Sequence, residues 1–238
     1  MSSAAITGLG VVTPFGVGCA PFLDGLLRGA VRFAPYARPH ARLPQAPDLA
    51  AALLDDFDPK SVLGPKGLRT LGADAKLTLA AATLACADAG LDPETWRRED
   101  VGVLTATTFA GLADYVELYA DGRVDGVDAV SPTQGPQTGF NAPASQLSIR
   151  MKAEGPNLTF ANGSTSGLDA LAHAAELVRI GRASIVIVAC AETIPAVAAH
   201  VLVGARGTDR PRPFDRARSG PAYAEAGVVL VVEPVHEA

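Results

Sequence analysis

Five short segments of the chain are almost continuously apolar and rich in β-branched residues. They span residues 4–12, 101–107, 157–161, 184–191 and 227–233. Apolar runs without polar alternation are typical of strands that are covered on both faces of a sheet. The hydrophobic pattern therefore predicts five strands.

Helical patterns lie between these runs, over residues 19–28, 73–89, around 113–119, 143–151 and 167–180. Gly90 and Asp92-Pro93 end the second helix, and Gly181 ends the last. Strands that alternate with helices predict a layered α/β domain with helices on both faces of a mostly parallel sheet. Helix 73–89 is apolar almost all round and is predicted to be an inner helix. Segments 30–47 and 122–139, rich in Pro and Gly, are predicted to be ordered irregular loops.

Length and charge narrow the classes of function. We expect the 238 residues to form a single domain over 1–238. The net charge of −5 offers no basic surface, so nucleic acid and anionic membranes are not expected partners. No apolar run is long enough to span a bilayer, and the first residues lack the positive charge of a signal peptide. A cytoplasmic location is therefore expected.

The three cysteines are far apart and lack the spacing of metal ligands. Cys19, Cys86 and Cys190 are interpreted as small apolar residues rather than as a disulfide framework or a zinc site. The chain also lacks a phosphate-binding glycine pattern. We expect no metal and no cofactor.

Residues 155–171, Gly-Pro-Asn-Leu-Thr-Phe-Ala-Asn-Gly-Ser-Thr-Ser-Gly-Leu-Asp-Ala-Leu, are predicted to be a strand that turns sharply into a helix. Ser164 lies at this elbow, where unpaired N–H groups and the positive end of the helix dipole stabilise a developing anion. A plainer interpretation is that Ser164, Thr165 or Ser166 simply caps the helix. Spacing alone favours the cap.

This stretch resembles the active-site segment of β-ketoacyl synthases, in which Gly-Pro-Asn and a strand precede Thr-Ala-Cys-Ser-Ser-Gly-Leu. Ser164 stands where that family has its Cys nucleophile. Further similar blocks follow the family's order over nearly the whole chain, at 6–16, 57–60, 80–91 and 212–215 with Glu225. The resemblance implies a thiolase-like αβα half-fold with a mixed, mostly parallel five-stranded sheet. It also implies thioester-bound substrates and no cofactor.

Three features depart from the family. A thiol has a pKa near ~8.5 and becomes a thiolate at such an elbow, whereas a serine hydroxyl needs a general base. A family member is about twice as long, and its two catalytic histidines lie in the second half. The histidines of this chain are His40, His173, His200 and His236. None matches a family position, and His173 lies about 13 Å along the helix from Ser164.

The third departure is the closing motif. Residues 219–226 read Ser-Gly-Pro-Ala-Tyr-Ala-Glu-Ala, where the family has Asp-Gly-Phe-Val and Gly-Glu-Gly. The loop beside the site is therefore expected to differ.

The resemblance also implies two similar halves that share a central helical layer. Helix 73–89 and the elbow helix are then expected to leave an apolar surface uncovered in this chain. The stripe on the elbow helix consists of Leu168, Leu171, Ala172, Ala175 and Val178. Either a partner covers this surface, or segments such as 30–47 fold over it. The family's dimer contact, here residues 157–161 and 131–144, is retained.

Three functions remain open. The leading hypothesis is a non-catalytic subunit, similar to a chain-length factor, that pairs with a full-length β-ketoacyl synthase or with itself. The second is an acyltransferase in which Ser164 uses a base from a partner chain. The third is a scaffold that docks the acidic acyl carrier protein through an arginine-rich loop. The plainer interpretation is that this loop is simply exposed to solvent. Its arginines are Arg206, Arg210, Arg212, Arg216 and Arg218.

Overall fold

The computed structural model describes residues 3–40, 42, 48–202, 212 and 214–235. Among these residues, the main sheet has six strands, and a small second sheet has three. In chain order the strands are β1 (Ala4–Thr13), β2 (Gly16–Val17), β3 (Ala34–Pro35), β4 (Ala50–Ala52), β5 (Val101–Ala106), β6 (Asn157–Phe160), β7 (Ile185–Glu192), β8 (Tyr223–Ala224) and β9 (Ala226–Pro234). The strand order is β2-β1-β9-β7-β5-β6 in the main sheet and β3-β4-β8 in the small sheet.

The helices pack on both faces of the main sheet, as predicted. They are α1 (Cys19–Leu27), α2 (Lys60–Leu63), α3 (Ala73–Asp88), α4 (Leu112–Val124), α5 (Ala142–Met151), α6 (Ser166–Arg179) and α7 (Ala196–Leu202). The five predicted strands and five predicted helices are all present, with ends that differ by a few residues at most. Segment 122–139 includes the end of α4 and two short 3-10 turns.

The sheet is mixed, but it is less parallel than predicted and has one more strand. Only β5–β6 and β5–β7 are parallel, whereas β1–β2, β1–β9 and β7–β9 are antiparallel. Parallel neighbouring strands must be joined by a crossover connection. Helices α4 and α5 lie between β5 and β6 in the chain, and α6 lies between β6 and β7. The chain enters β9 from the small sheet instead, and β9 runs opposite to both of its neighbours. The sixth strand, β2, is too short to show a hydrophobic period.

The backbone of helix α3 packs unusually close to the backbone of β1. A Cβ atom added to Gly10 would lie 1.9 Å from the Ala81 carbonyl oxygen, and one added to Gly8 would lie 2.3 Å from that of Ala85. Helices α2 and α5 pack on the remaining sides of α3. The prediction of an inner helix is confirmed. The expectation that α3 leaves an apolar surface uncovered is wrong, because its neighbours in this chain already bury it.

Helix α6 covers the opposite face of the sheet and does have an uncovered side. Ala170, Ala174 and Val178 are buried against the sheet, whereas Leu168 is 72% exposed and Ala172 is also exposed. The apolar stripe expected on α6 is therefore divided between two sides of the helix, since Val178 faces the sheet whereas Leu168 faces outward.

Residues 30–40 do not fold over α6. The Tyr36 hydroxyl donates to the Ile194 carbonyl at 3.0 Å, and its ring packs on α7. The described part of segment 30–47 therefore lies elsewhere. Within the described ranges, no helix has the length and apolar character needed to cross a bilayer.

Candidate functional site

The elbow between β6 and α6 is held by its own backbone and by one hydroxyl group. Gly163 has a φ of 77°, a left-handed conformation that favours glycine. The Asn162 N–H donates to Ser166 Oγ at 2.8 Å, and Ser166 Oγ donates to the Gly163 carbonyl at 2.8 Å. These bonds fix the 3-10 turn Gly163–Thr165, from which α6 begins.

Ser164 projects from this turn and is exposed. Its hydroxyl has no hydrogen-bond partner within the described part of the chain. Thr165 Oγ1 donates to Asp169 Oδ2 at 3.0 Å, and the Asn162 side-chain amide donates to the same oxygen at 3.2 Å. Ser164 therefore does not cap the helix, and Thr165, which stands at the N-cap, makes no capping hydrogen bond with its side chain. Of the three hydroxyls, that of Ser166 holds the preceding turn.

An open pocket of about 310 Å³ lies in front of Ser164. It is formed where β5 and β7 end, where β9 begins and where the elbow turns. Its lining residues are Ala106, Thr107, Thr108, Gly163, Ser164, Ser166, Gly167, Cys190, Ala191, Glu192, Ala224, Ala226 and Val228. Among the described residues, none of those that line it is His, Lys or Arg.

Cys190 places a thiol in this pocket. Its Sγ lies 3.2 Å from the position that a Cβ on Gly167 would occupy. Burial raises the pKa of the Cys190 thiol above its ordinary value, so the thiol is neutral at physiological pH. The interpretation of Cys190 as a small apolar residue missed this location. The available signal was its position at the carboxyl end of a predicted strand, the edge at which α/β sheets bind ligands.

Glu192 is the second pocket residue that the sequence analysis missed. Its carboxylate accepts hydrogen bonds from the Thr108 N–H at 2.6 Å and from the Phe109 N–H at 2.9 Å. Burial raises the pKa of Glu192 to about 6, and the nearby Asp74 adds to this, whereas the two N–H donors act in the opposite direction. Each carboxylate oxygen accepts a peptide N–H group, and among the described residues no hydrogen bond joins Glu192 to Ser164.

The described histidines lie outside the pocket. His40 Nε2 lies 3.9 Å from Glu117 Oε1, and the His173 ring packs against Phe160 with centroids 5.7 Å apart. His200 is half-buried on α7, and His236 lies outside the described residues. The structure therefore brings none of the described imidazoles to Ser164.

The closing motif stabilises the fold and adds no charged side chain to the pocket of Ser164. Glu225 is 1% exposed and accepts from the Leu54 and Ile194 N–H groups, each at 2.7 Å. Its neighbours Ala224 and Ala226 line the pocket.

The described arginines of the proposed docking loop are exposed, as in a solvated loop. They are Arg212, Arg216 and Arg218. Arg206 and Arg210 lie outside the described residues. No group of three or more His, Cys, Asp or Glu side chains in the described ranges is arranged to hold a metal ion.

Comparison with known proteins identifies the family. The model of the β-ketoacyl synthase N-terminal domain matches residues 1–238. The chain belongs to the β-ketoacyl synthase family. Ser164 thus lies at the turn between β6 and α6 of a β-ketoacyl synthase N-terminal domain.

Relatives within the family include polyketide synthase subunits. The chain is 29% identical over 242 residues to the actinorhodin polyketide putative β-ketoacyl synthase 2 of Streptomyces coelicolor, covering 97% of this chain and 58% of that protein. It therefore spans somewhat more than half the length of such relatives.

Solved β-ketoacyl synthases share the thiolase-like fold. The ishigamide ketosynthase/chain length factor superposes with a TM-score of 0.77 at 28% identity, covering 99% of this chain and 63% of that one. A β-ketoacyl synthase from Burkholderia phymatum superposes with a TM-score of 0.84 at 21% identity, covering 99% and 60% respectively.

Proposed function

We propose that this chain is a non-elongating subunit, similar to a chain-length factor, that pairs with an active full-length β-ketoacyl synthase. The pathway is of the polyketide, aryl-polyene or fatty-acid type. The observation that carries the proposal is Ser164: a hydroxyl stands at the elbow, and none of the described residues is hydrogen-bonded to it as a base.

The chemistry of the pocket supports a catalytically inactive site. A serine hydroxyl attacks a thioester only when an adjacent base removes its proton. Glu192 already accepts two peptide N–H groups, and the Cys190 thiol is held neutral by burial. Neither group is therefore arranged to replace the family's reactive thiolate.

Strand β6 supports the pairing. It forms one edge of the main sheet, and the Pro156 and Phe160 carbonyls accept from Val103 and Thr107 of the β5 side. Because peptide groups alternate along a strand, those of Asn157 and Thr159 point away from β5. An edge with free peptide groups is a template for pairing with another chain.

The outer side of α6 adds an apolar surface to this edge. Leu168 is 72% exposed there, and Leu158 of β6 is 40% exposed. Exposed apolar surface on a soluble protein marks an interaction site. A partner synthase subunit, or a second copy of this chain, would remove this surface from water.

Co-expression with the ketosynthase of the neighbouring gene tests the proposal. We expect the two proteins to co-purify at a fixed ratio, and deletion of this chain to change the length of the product. Leu158→Asp, at the β6 edge, should abolish co-purification. Leu27→Asp, at a position 88% exposed on α1, should not. Recovery of each protein alone, with an unchanged product, would refute the proposal.

A second candidate function is acyl transfer by Ser164 with a base from the partner. It is favoured by the free Ser164 hydroxyl and by its position at the N-terminus of α6, where peptide N–H groups stabilise an oxyanion. Its distinguishing property is an acyl adduct on Ser164, which a mass measurement detects.

A further inference from the structure

All five peptide N–H groups of residues 107–111, the turn that joins β5 to α4, have acceptors. The Thr107 N–H donates to the Phe160 carbonyl at 3.0 Å, and the Ala110 N–H donates to Thr107 Oγ1 at 2.9 Å. The N–H groups of Thr108 and Phe109 donate to Glu192. That of Gly111 donates to Asp74. Two acidic side chains thus hold three of the five groups.

Asp74 and Glu192 approach the turn from different elements and are linked through Thr193. Asp74 lies in the first turn of α3, and Glu192 ends β7. The Thr193 N–H and Oγ1 donate to Asp74 Oδ1 at 3.1 and 2.5 Å. Thr107 and Thr108 line the pocket of Ser164. Glu192, which itself lines the pocket, and Asp74 therefore brace one wall of that pocket.

We propose that Asp74 and Glu192 are a pair of positioning residues that hold the β5–α4 turn closed against the Ser164 pocket and release it when both are charged. This inference does not depend on the proposed function, because the turn forms the pocket wall whatever the pocket binds.

The direction of the effect follows from the environment of the two groups. Burial raises the pKa of both Asp74 and Glu192 to about 6. The charge of Asp74 raises the pKa of Glu192 further, and the charge of Asp114 on α4 raises the pKa of Asp74. Asp114 itself faces Glu117 and Lys76.

Opening of the turn would admit water and return both pKa values toward their ordinary range near ~4. The closed turn therefore binds protons more tightly than the open turn. Linkage then requires that the closed turn be favoured as the pH falls from about 6 toward about 4, and the open turn as it rises past 6. Protonated Glu192 retains an acceptor oxygen and is able to donate to Thr107 Oγ1, which lies 3.3 Å away.

Hydrogen exchange of individual amides in the full chain tests the proposal. After correction for the intrinsic rate, the protection of the Thr108 and Phe109 amides should fall about tenfold or more between pH 5.0 and pH 7.5, the shift expected from one such group. The amide of Leu104, inside β5, should not follow this change.

Asp74→Asn removes one charge but retains an acceptor for Thr193. We expect this variant to lose only the smaller part of the pH dependence at Thr108 and Phe109 that the charge of Asp74 contributes, whereas Asp128→Asn, at an exposed position, should leave the pH dependence unchanged. Glu192→Gln removes the titrating group that holds both amides and should lose most of the pH dependence. Protection that is independent of pH in the unmodified chain, or a pH dependence that survives in Glu192→Gln, would overturn the proposal.

Discussion

The guanidinium of Arg38 makes two hydrogen bonds to the buried carboxylate of Glu225, from Nη1 to Oε1 at 2.5 Å and from Nη2 to Oε2 at 2.8 Å. Arg38 also contacts Asp55 at 2.8 Å. The pair joins the small sheet to the loop that enters β9, beside the Ser164 pocket.

We expect Arg38→Ala to lower the free energy of unfolding by about 3 kcal/mol, because it leaves the Glu225 charge buried without its partner. Arg28→Ala removes an ion pair with Asp24 that is exposed on both sides. It should cost less than about 1 kcal/mol. Urea unfolding measures both changes, and equal losses would contradict the assigned role of Arg38.

The contact between β1 and α3 gives a second stability prediction. A methyl group at Gly10 would lie 1.9 Å from the Ala81 carbonyl oxygen, and neither backbone segment is able to move without separating the strand from the helix. Gly10→Ala should therefore cost about 3 kcal/mol, at the upper end of the range for overpacking.

Gly135→Ala is the control for this substitution, because a Cβ there would meet no atom within 4 Å. We expect a change within about 0.5 kcal/mol, as for ordinary surface substitutions. A Gly10→Ala variant as stable as the control in thermal unfolding would show that α3 does not approach β1 as described.

The cysteines should react with an alkylating reagent in a fixed order. Cys190 is half-buried at an open pocket, whereas Cys86 is buried, and burial raises the pKa of Cys86 to about 11. Because the thiolate is the reactive form, Cys190 should react slowly near pH 7 and faster above pH 9. Cys86 should react only after unfolding.

Peptide mapping by mass spectrometry identifies the labelled residue. Rapid labelling of Cys190 at pH 7, at the rate of an activated thiolate, would contradict the neutral thiol described for this pocket. Cys190→Ser should remove the label on the peptide that contains residue 190 and leave the labelling of Cys86 unchanged.

Much of the fold was predictable because its main elements have strong periodic signals. The continuous apolar run in β7 and the glycine and proline signals after α3 and α6 each predict an element from local sequence. The strands β2, β3, β4 and β8 have two or three residues each, too few to show a period of two. The direction of β9 depends on its partners, which its own apolar run does not encode.

The candidate site was predicted only in part. Ser164 follows from the elbow motif, but Glu192 and Asp74 are single acidic residues next to apolar segments. Only the tertiary fold brings them to the same turn. The expectation for α3 failed for a related reason: an all-round apolar helix indicates burial but does not specify which neighbours provide it.

The central claim is that the Ser164 pocket does not form an acyl-enzyme, and the intact-protein mass after incubation with an acyl thioester tests it most directly. The measurement uses the unmodified chain, Ser164→Ala, and Ser164→Cys as a control for access to the pocket, each alone and with the partner ketosynthase. We predict an added acyl mass on Ser164→Cys only, because the elbow activates a thiol but not a hydroxyl. An acyl adduct on the unmodified chain that is lost in Ser164→Ala would contradict the account and favour the acyltransferase.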